Sequence, residues 1–191
     1  MSEFGFIFSL YSLLLSFSLV ELLSGLGRCV EETLHPRDSD DKQFRLGLLT
    51  PLLGIFVLLD LLSFWSAAWT TRDLLEVNGV TLMSVLVFAS SYFLAAYMVF
   101  PSQPAKHENL DDHYFRVRRI VIGILLVLVV CQLGFYWAQP ELAARLNNPL
   151  ALSLTAILII LMLATMLFRS VKLNVVILVA LIARYLIVYA I

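Results

Sequence analysis

Long apolar segments, separated by short polar stretches, dominate the chain. The apolar core of each segment carries at most one Asp, Glu, Lys or Arg. A membrane-spanning helix needs about 20 consecutive apolar residues, and none of these segments shows the alternation expected of a barrel strand. The pattern therefore predicts an all-α polytopic membrane bundle of six transmembrane helices, at about 4–27, 46–70, 78–100, 118–139, 149–168 and 172–191.

The composition fits a lipid environment better than water. Of the 191 residues, 61% are hydrophobic and 14% are charged, and the mean hydropathy is +0.92. Because a soluble domain carries about 25% charged residues, the charged residues here are too few to cover a water-soluble globule. We therefore expect a single transmembrane domain over 1–191, with the lipid bilayer as its surroundings. No basic stretch precedes segment 4–27, so we expect a mature helix there rather than a signal peptide.

Basic residues fall mainly in the loops that follow the first, third and fifth predicted helices. Ten of the 13 Lys and Arg residues lie there, and two lie in the opposite loops. Because cytoplasmic loops are enriched in Lys and Arg, loops 28–45, 101–119 and 169–172 are predicted to be cytoplasmic. Both termini would then lie on the outer side of a cytoplasmic or plasma membrane. Acidic residues are mixed into these loops, so we predict contact with lipid headgroups and no binding of nucleic acid.

Similar hexads indicate an internal repeat. Residues 40–45 and 111–116 each begin with two Asp residues, end with Phe-Arg and precede a predicted helix. A third Phe-Arg pair, at 168–169, precedes the last helix. These matches predict two or three parallel helical hairpins, related by an axis along the membrane normal. The hairpins would be 1–72, 73–143 and 144–191. The alternative is that Phe-Arg pairs recur by chance at the membrane boundary.

Three ionisable residues lie inside the apolar segments: Glu21, Asp60 and Arg184. A charge at the bilayer centre costs about 2.5–3.5 kcal/mol on insertion scales, so each residue needs a specific explanation. Asp60 and Arg184 follow a Phe-Arg pair at the same spacing, which predicts equal depth and allows a buried ion pair. Alternatively, Arg184 extends towards the nearby membrane surface, and Asp60 is then a protonated acid or bonds a hydroxyl group.

Glu21 lies about 10 Å inside the boundary marked by Arg28, taking 1.5 Å per helical residue. It shares a small, polar helix face with Ser18 and Gly25, and no basic partner is evident at its depth. One interpretation is a carboxyl group linked to proton or cation movement. The alternative is a neutral Glu21 hydrogen-bonded to a serine, to a threonine such as Thr165, or to a carbonyl.

The predicted cytoplasmic loops contain a second set of candidates: Asp40, Asp41, Asp111, Asp112 and His113. Carboxylates and imidazoles can bind divalent ions. However, adjacent Asp residues point in different directions on a helix, and an Asp before a helix accepts backbone N–H groups. Helix capping is therefore the preferred interpretation, partner contacts are an alternative, and no metal site is predicted.

Several catalytic classes are excluded by the motifs. No predicted helix contains a midplane His that could bind haem, or an interior Lys that could form a retinal-type Schiff base. No P-loop, GxSxG, HExxH or GxGxxG motif occurs. No cofactor is predicted. The preferred hypothesis is a non-catalytic accessory or partner-binding subunit of a membrane assembly, in contact with other membrane proteins. The alternatives are a small-solute or ion transporter using Glu21 and the Asp60/Arg184 pair, and an inner-face lipid-modifying enzyme using Asp111, Asp112 and His113.

Overall fold

The computed structural model describes residues 3–34, 44–72, 74, 78–106 and 108–190. These residues form seven α-helices and a short 3₁₀-helix at Pro104–Lys106, and none of them belongs to a strand. Six helices, all except α5, are long and apolar enough to cross a membrane. The prediction of an all-α fold with six helices long and apolar enough to span a membrane is confirmed. The helices are α1 (Glu3–Leu34), α2 (Leu49–Thr70), α3 (Gly79–Val99), α4 (Leu110–Ala138), α5 (Pro140–Leu146), α6 (Pro149–Leu167) and α7 (Val171–Ala190).

The largest departures from the predicted bounds occur at the end of α1 and the start of α4. Helix α1 continues to Leu34, and α4 begins at Leu110 rather than near residue 118. Charged residues define where hydrocarbon ends, but they do not end a helix. The Asn109 side chain caps α4 by accepting the Asp111 backbone N–H at 2.9 Å. Leu110 and Tyr114, one turn apart, are both buried, so this first turn is held by packing as well as by its cap.

Helix α2 occupies the centre of the bundle. It contacts α1, α3, α4 and α7, whereas α6 contacts only α4, α5 and α7 among the principal helix pairs. Leu53, Phe56 and Val57 of α2 are completely buried. The short helix α5, which the sequence analysis did not predict, packs against α4 and α6. The core therefore follows the buried face of α2, and a polar side chain on that face must find its partners inside the protein.

Two glycines make room for the ring of Phe100 between α1 and α2. A Cβ atom added to Gly25 would lie 2.7 Å from the Phe100 Cβ, and one added to Gly54 would lie 2.8 Å from its Cζ. Both distances are shorter than van der Waals contact. The end of α3 is thus fixed in a notch that side chains larger than hydrogen would fill.

The ends of α1, α3 and α6 and the starts of α2, α4 and α7 lie together at what we call the basic end. Its described Lys and Arg residues are Arg28, Arg45, Lys106, Arg116, Arg118, Arg119, Arg169 and Lys172. Two backbone hydrogen bonds close this end between the segments before α2 and α4. The Arg45 N–H donates to the Glu108 carbonyl at 2.9 Å, and the Leu110 N–H donates to the Arg45 carbonyl at 3.1 Å.

The proposed repeat is not seen in the described residues. Phe44 and Arg45 lie in a non-helical segment before α2, whereas Phe115 and Arg116 lie within α4. The expectation that hexad 111–116 precedes a helix is therefore wrong, because α4 starts before it. The acidic pair of the first hexad, at 40–41, lies outside the described residues, and the repeat stays a prediction.

Candidate functional site

Asp60 is the most deeply buried acid among the described residues, with 1% of its surface exposed. The Tyr185 hydroxyl of α7 donates a hydrogen bond to Asp60 Oδ1. The Tyr92 hydroxyl of α3 lies 2.6 Å from the Val57 carbonyl and 3.3 Å from Asp60 Oδ2. Because a hydroxyl has one proton, the shorter contact is the main bond of Tyr92. Tyr185 thereby links α7 to the Asp60 carboxyl group of α2, and Tyr92 links α3 to α2 mainly through the Val57 carbonyl.

Arg184 does not form the predicted ion pair with Asp60. Its Nε donates to the Leu154 carbonyl of α6 at 3.3 Å, and its guanidinium carbon lies 4.8 Å from the centre of the Tyr185 ring. Equal depth along parallel helices does not bring two side chains together unless they also face each other. Asp60 instead contacts hydroxyl groups, and Arg184 contacts a backbone carbonyl of α6 and the ring of Tyr185.

A second buried polar group, which the sequence analysis missed, lies at the basic end. Arg118 of α4 is 1% exposed, and its Nη1 lies within hydrogen-bond distance of three oxygens. It donates to the Thr165 carbonyl at 2.5 Å, to the Phe168 carbonyl and to Asn174 Oδ1 at 3.0 Å. Tyr114 donates to the same amide oxygen at 2.7 Å.

This cluster of Arg118, Tyr114 and Asn174 joins α4 to the turn between α6 and α7. The last carbonyls of a helix lack partners within it and form the negative end of its dipole, so a cation there is stabilising. Asn174 completes the turn by donating to the Phe168 and Ser170 carbonyls at 2.9 and 2.8 Å. Asn174 is an amide inside an apolar segment, and that anomaly was the available sequence signal.

Among the inner-loop acids that the structure describes, Asp111 has a capping role. Asp111 accepts the Leu49 backbone N–H at 3.0 Å and so caps α2 rather than its own helix. A Cβ on Gly47 would lie 2.3 Å from Asp111 Oδ1, and Gly47 has φ of +63°, a conformation that favours glycine. Asp112 is exposed and His113 is half-buried, whereas Asp40 and Asp41 lie outside the described residues.

Glu21 has a basic partner, contrary to the sequence analysis. Arg28, two turns later on α1, donates from Nη2 to Glu21 Oε1 at 3.1 Å, and the two side chains are 38% and 23% exposed. The long arginine side chain spans the difference in depth, which a search at equal depth could not reveal. Both residues line a cavity of about 470 Å³ at the basic end, together with Lys106 and His113.

A second cavity, of about 370 Å³, lies near the other end of α1, α2, α3 and α4. Its walls are largely aromatic and include Phe8, Phe64, Phe88 and Phe135. The two cavities differ in character: this one is apolar, whereas the one at the basic end carries acidic and basic side chains. The candidate polar groups of the protein are therefore Asp60 in the interior, the Arg118 cluster, and the cavity beside Glu21.

Comparison with known proteins gives no family assignment: no family model, curated protein or solved structure is significantly similar to this chain.

Proposed function

We propose that this chain is a non-catalytic subunit of a membrane assembly, which acts by contact with other membrane proteins. The observation that carries the proposal is the hydrogen bonding of the buried Asp60 carboxyl group. Its carboxyl group is fully buried and is engaged by the hydroxyls of Tyr185 and Tyr92 on two other helices. Hydrogen bonds that join α2 to two other helices around Asp60 favour a rigid scaffold, since they stabilise one arrangement of the bundle.

Other charged side chains have comparable roles. Arg118 stabilises the end of α6, and Asp111 caps the start of α2. The catalytic alternative requires Asp111, Asp112 and His113 to act together on a headgroup. The Asp111 carboxylate is occupied by the α2 backbone, which favours the structural role over the catalytic one.

The proposal is tested by the mass of the intact protein extracted from its membrane in a mild detergent. We expect native mass spectrometry to find the 21.5 kDa chain bound to another polypeptide at a fixed ratio. A six-helix membrane protein carrying the same tag, expressed at the same level, controls for adventitious capture. Recovery of the chain only as a monomer, under conditions that keep known membrane complexes intact, would contradict the proposal.

The second candidate function is a small-solute or ion pathway, and the Glu21 cavity is the observation that favours it. A pathway through this cavity needs the Glu21 carboxylate to interact with the permeant species. Glu21→Gln should then abolish flux in proteoliposomes, and Glu31→Gln, on the same helix beyond the cavity, should not. Equal flux in the two variants would exclude this use of Glu21.

We further propose that the basic end faces the cytoplasm, with both termini on the outer side. The concentration of Lys and Arg in loops 28–45, 101–119 and 169–172 supports this orientation. Reporter domains fused to either terminus test it, because both should be inaccessible from the cytoplasm. Termini found on opposite faces would exclude both the orientation and an even number of spans.

A further inference from the structure

The cavity at the basic end has cationic walls. Arg28 reaches it from α1, Lys106 from the 3₁₀-helix and His113 from the first turn of α4. Glu21 supplies one carboxylate. With two permanent cations and one anion, the cavity has a net positive charge before any contribution from His113. It therefore favours a singly charged anion over a neutral or cationic ligand.

Arg28 has N–H donors that its hydrogen bond to Glu21 does not use. A guanidinium group has five N–H donors, and the hydrogen bond to Glu21 uses only Nη2. Its Nε is buried and has no hydrogen-bond partner among the described residues. Glu21 thus holds the guanidinium in the cavity without saturating it, and the remaining donors suit an oxyanion.

The cavity also has an apolar side. Tyr97 and Met98 of α3 and Val117 of α4 contribute to its wall, and Glu21 lies about 10 Å deeper along α1 than Arg28, at 1.5 Å per residue. A ligand that fills the whole space would place its charge beside Arg28 and Lys106 and its apolar part against this wall. A phospholipid at the membrane boundary has this arrangement, with a charged headgroup beside an apolar part.

We propose that this cavity binds the phosphate of an anionic phospholipid headgroup. Arg28 and Lys106 contact the phosphate oxygens, and Glu21 positions Arg28. Tyr97, Met98 and Val117 accommodate the adjoining glycerol and upper acyl carbons. The site goes beyond the subunit role proposed above and does not depend on it, since lipid occupancy and partner binding are measured separately.

The test is a titration of the purified intact chain with phosphatidylglycerol or phosphatidylcholine, followed by native mass spectrometry. We expect phosphatidylglycerol to bind about tenfold more tightly, because both lipids offer a phosphate but the choline cation of phosphatidylcholine is repelled by the positively charged cavity. Arg28→Gln and Lys106→Gln should each remove most of this preference. Lys172→Gln, an exposed cation at the same end outside the cavity, is the matched control and should retain it.

Competition with soluble phosphate distinguishes the two sources of the same chemistry. Inorganic phosphate or glycerol phosphate at millimolar concentration should not displace the lipid, and complete displacement would assign the site to a soluble phosphate compound instead. Equal affinity for the two lipids, or an equal loss in the Lys172→Gln control, would overturn the proposal. If Arg28→Gln fails to fold without its Glu21 contact, Lys106→Gln decides, because Lys106 is exposed.

Discussion

The Arg118 cluster yields the most quantitative prediction, because the neighbouring arginine provides a matched control. Arg118→Met keeps an unbranched apolar side chain in the buried space but leaves the Thr165 and Phe168 carbonyls without their cation. Arg119→Met removes the same charge one residue later from an exposed position. Arg119 makes one hydrogen bond to the α6 backbone, from Nε to the Met166 carbonyl at 3.2 Å.

The magnitude follows from the number of protons available. Arg118 Nη1 carries two protons, which serve three oxygens. Hydrogen bonds to charged groups contribute about 1.5–3 kcal/mol each, whereas interhelical bonds in membranes average about 0.6 kcal/mol. Between these limits we expect Arg118→Met to lower the free energy of unfolding by about 2–4 kcal/mol. For Arg119→Met we expect about 0.5 kcal/mol or less, as for other exposed positions.

Reversible unfolding in mixed micelles, driven by an increasing fraction of SDS and followed by far-UV circular dichroism, measures both values. The comparison is internal, since the two variants carry the same charge change at the same end of α4. If the two free energies of unfolding agree within about 0.5 kcal/mol, burial of Arg118 beneath the α6–α7 turn does not stabilise the protein and the reasoning is refuted.

Two further predictions use the same unfolding measurement. Gly54→Ala should cost about 1–3 kcal/mol because its Cβ meets the Phe100 ring, and Phe100→Leu in the same chain should recover part of that loss. A double variant no better than Gly54→Ala would show that the ring is not the obstacle. Tyr185→Phe should cost about 1 kcal/mol by removing a donor from Asp60. Tyr97→Phe, at an exposed position on α3, should cost about 0.5 kcal/mol or less, and an equal loss there would exclude the Asp60 contact as the cause.

The spans could be predicted from sequence because hydrocarbon imposes a length and a composition on each helix separately. The partners of the charged residues could not be predicted, since they depend on which sides of the helices pack against each other. Asp60 was identified as a residue needing a partner, but its hydroxyl partners come from α3 and α7. Arg118 was assigned to a loop as a determinant of orientation, because only the position of the α6 end makes it a buried cap.

The same physics explains why polar contacts and glycines determine this fold. Lipid tails are as apolar as leucine, so an apolar helix face does not distinguish another helix from the bilayer. Close packing and hydrogen bonds do distinguish them. In this bundle, Phe100 packs where Gly25 and Gly54 lack side chains. The bonds of Asp60 and Arg118 add links from α2 to α3 and α7, and from α4 to the α6–α7 turn. Six nearly interchangeable apolar segments thereby acquire one arrangement, and the residues that break the apolar pattern are those that specify it.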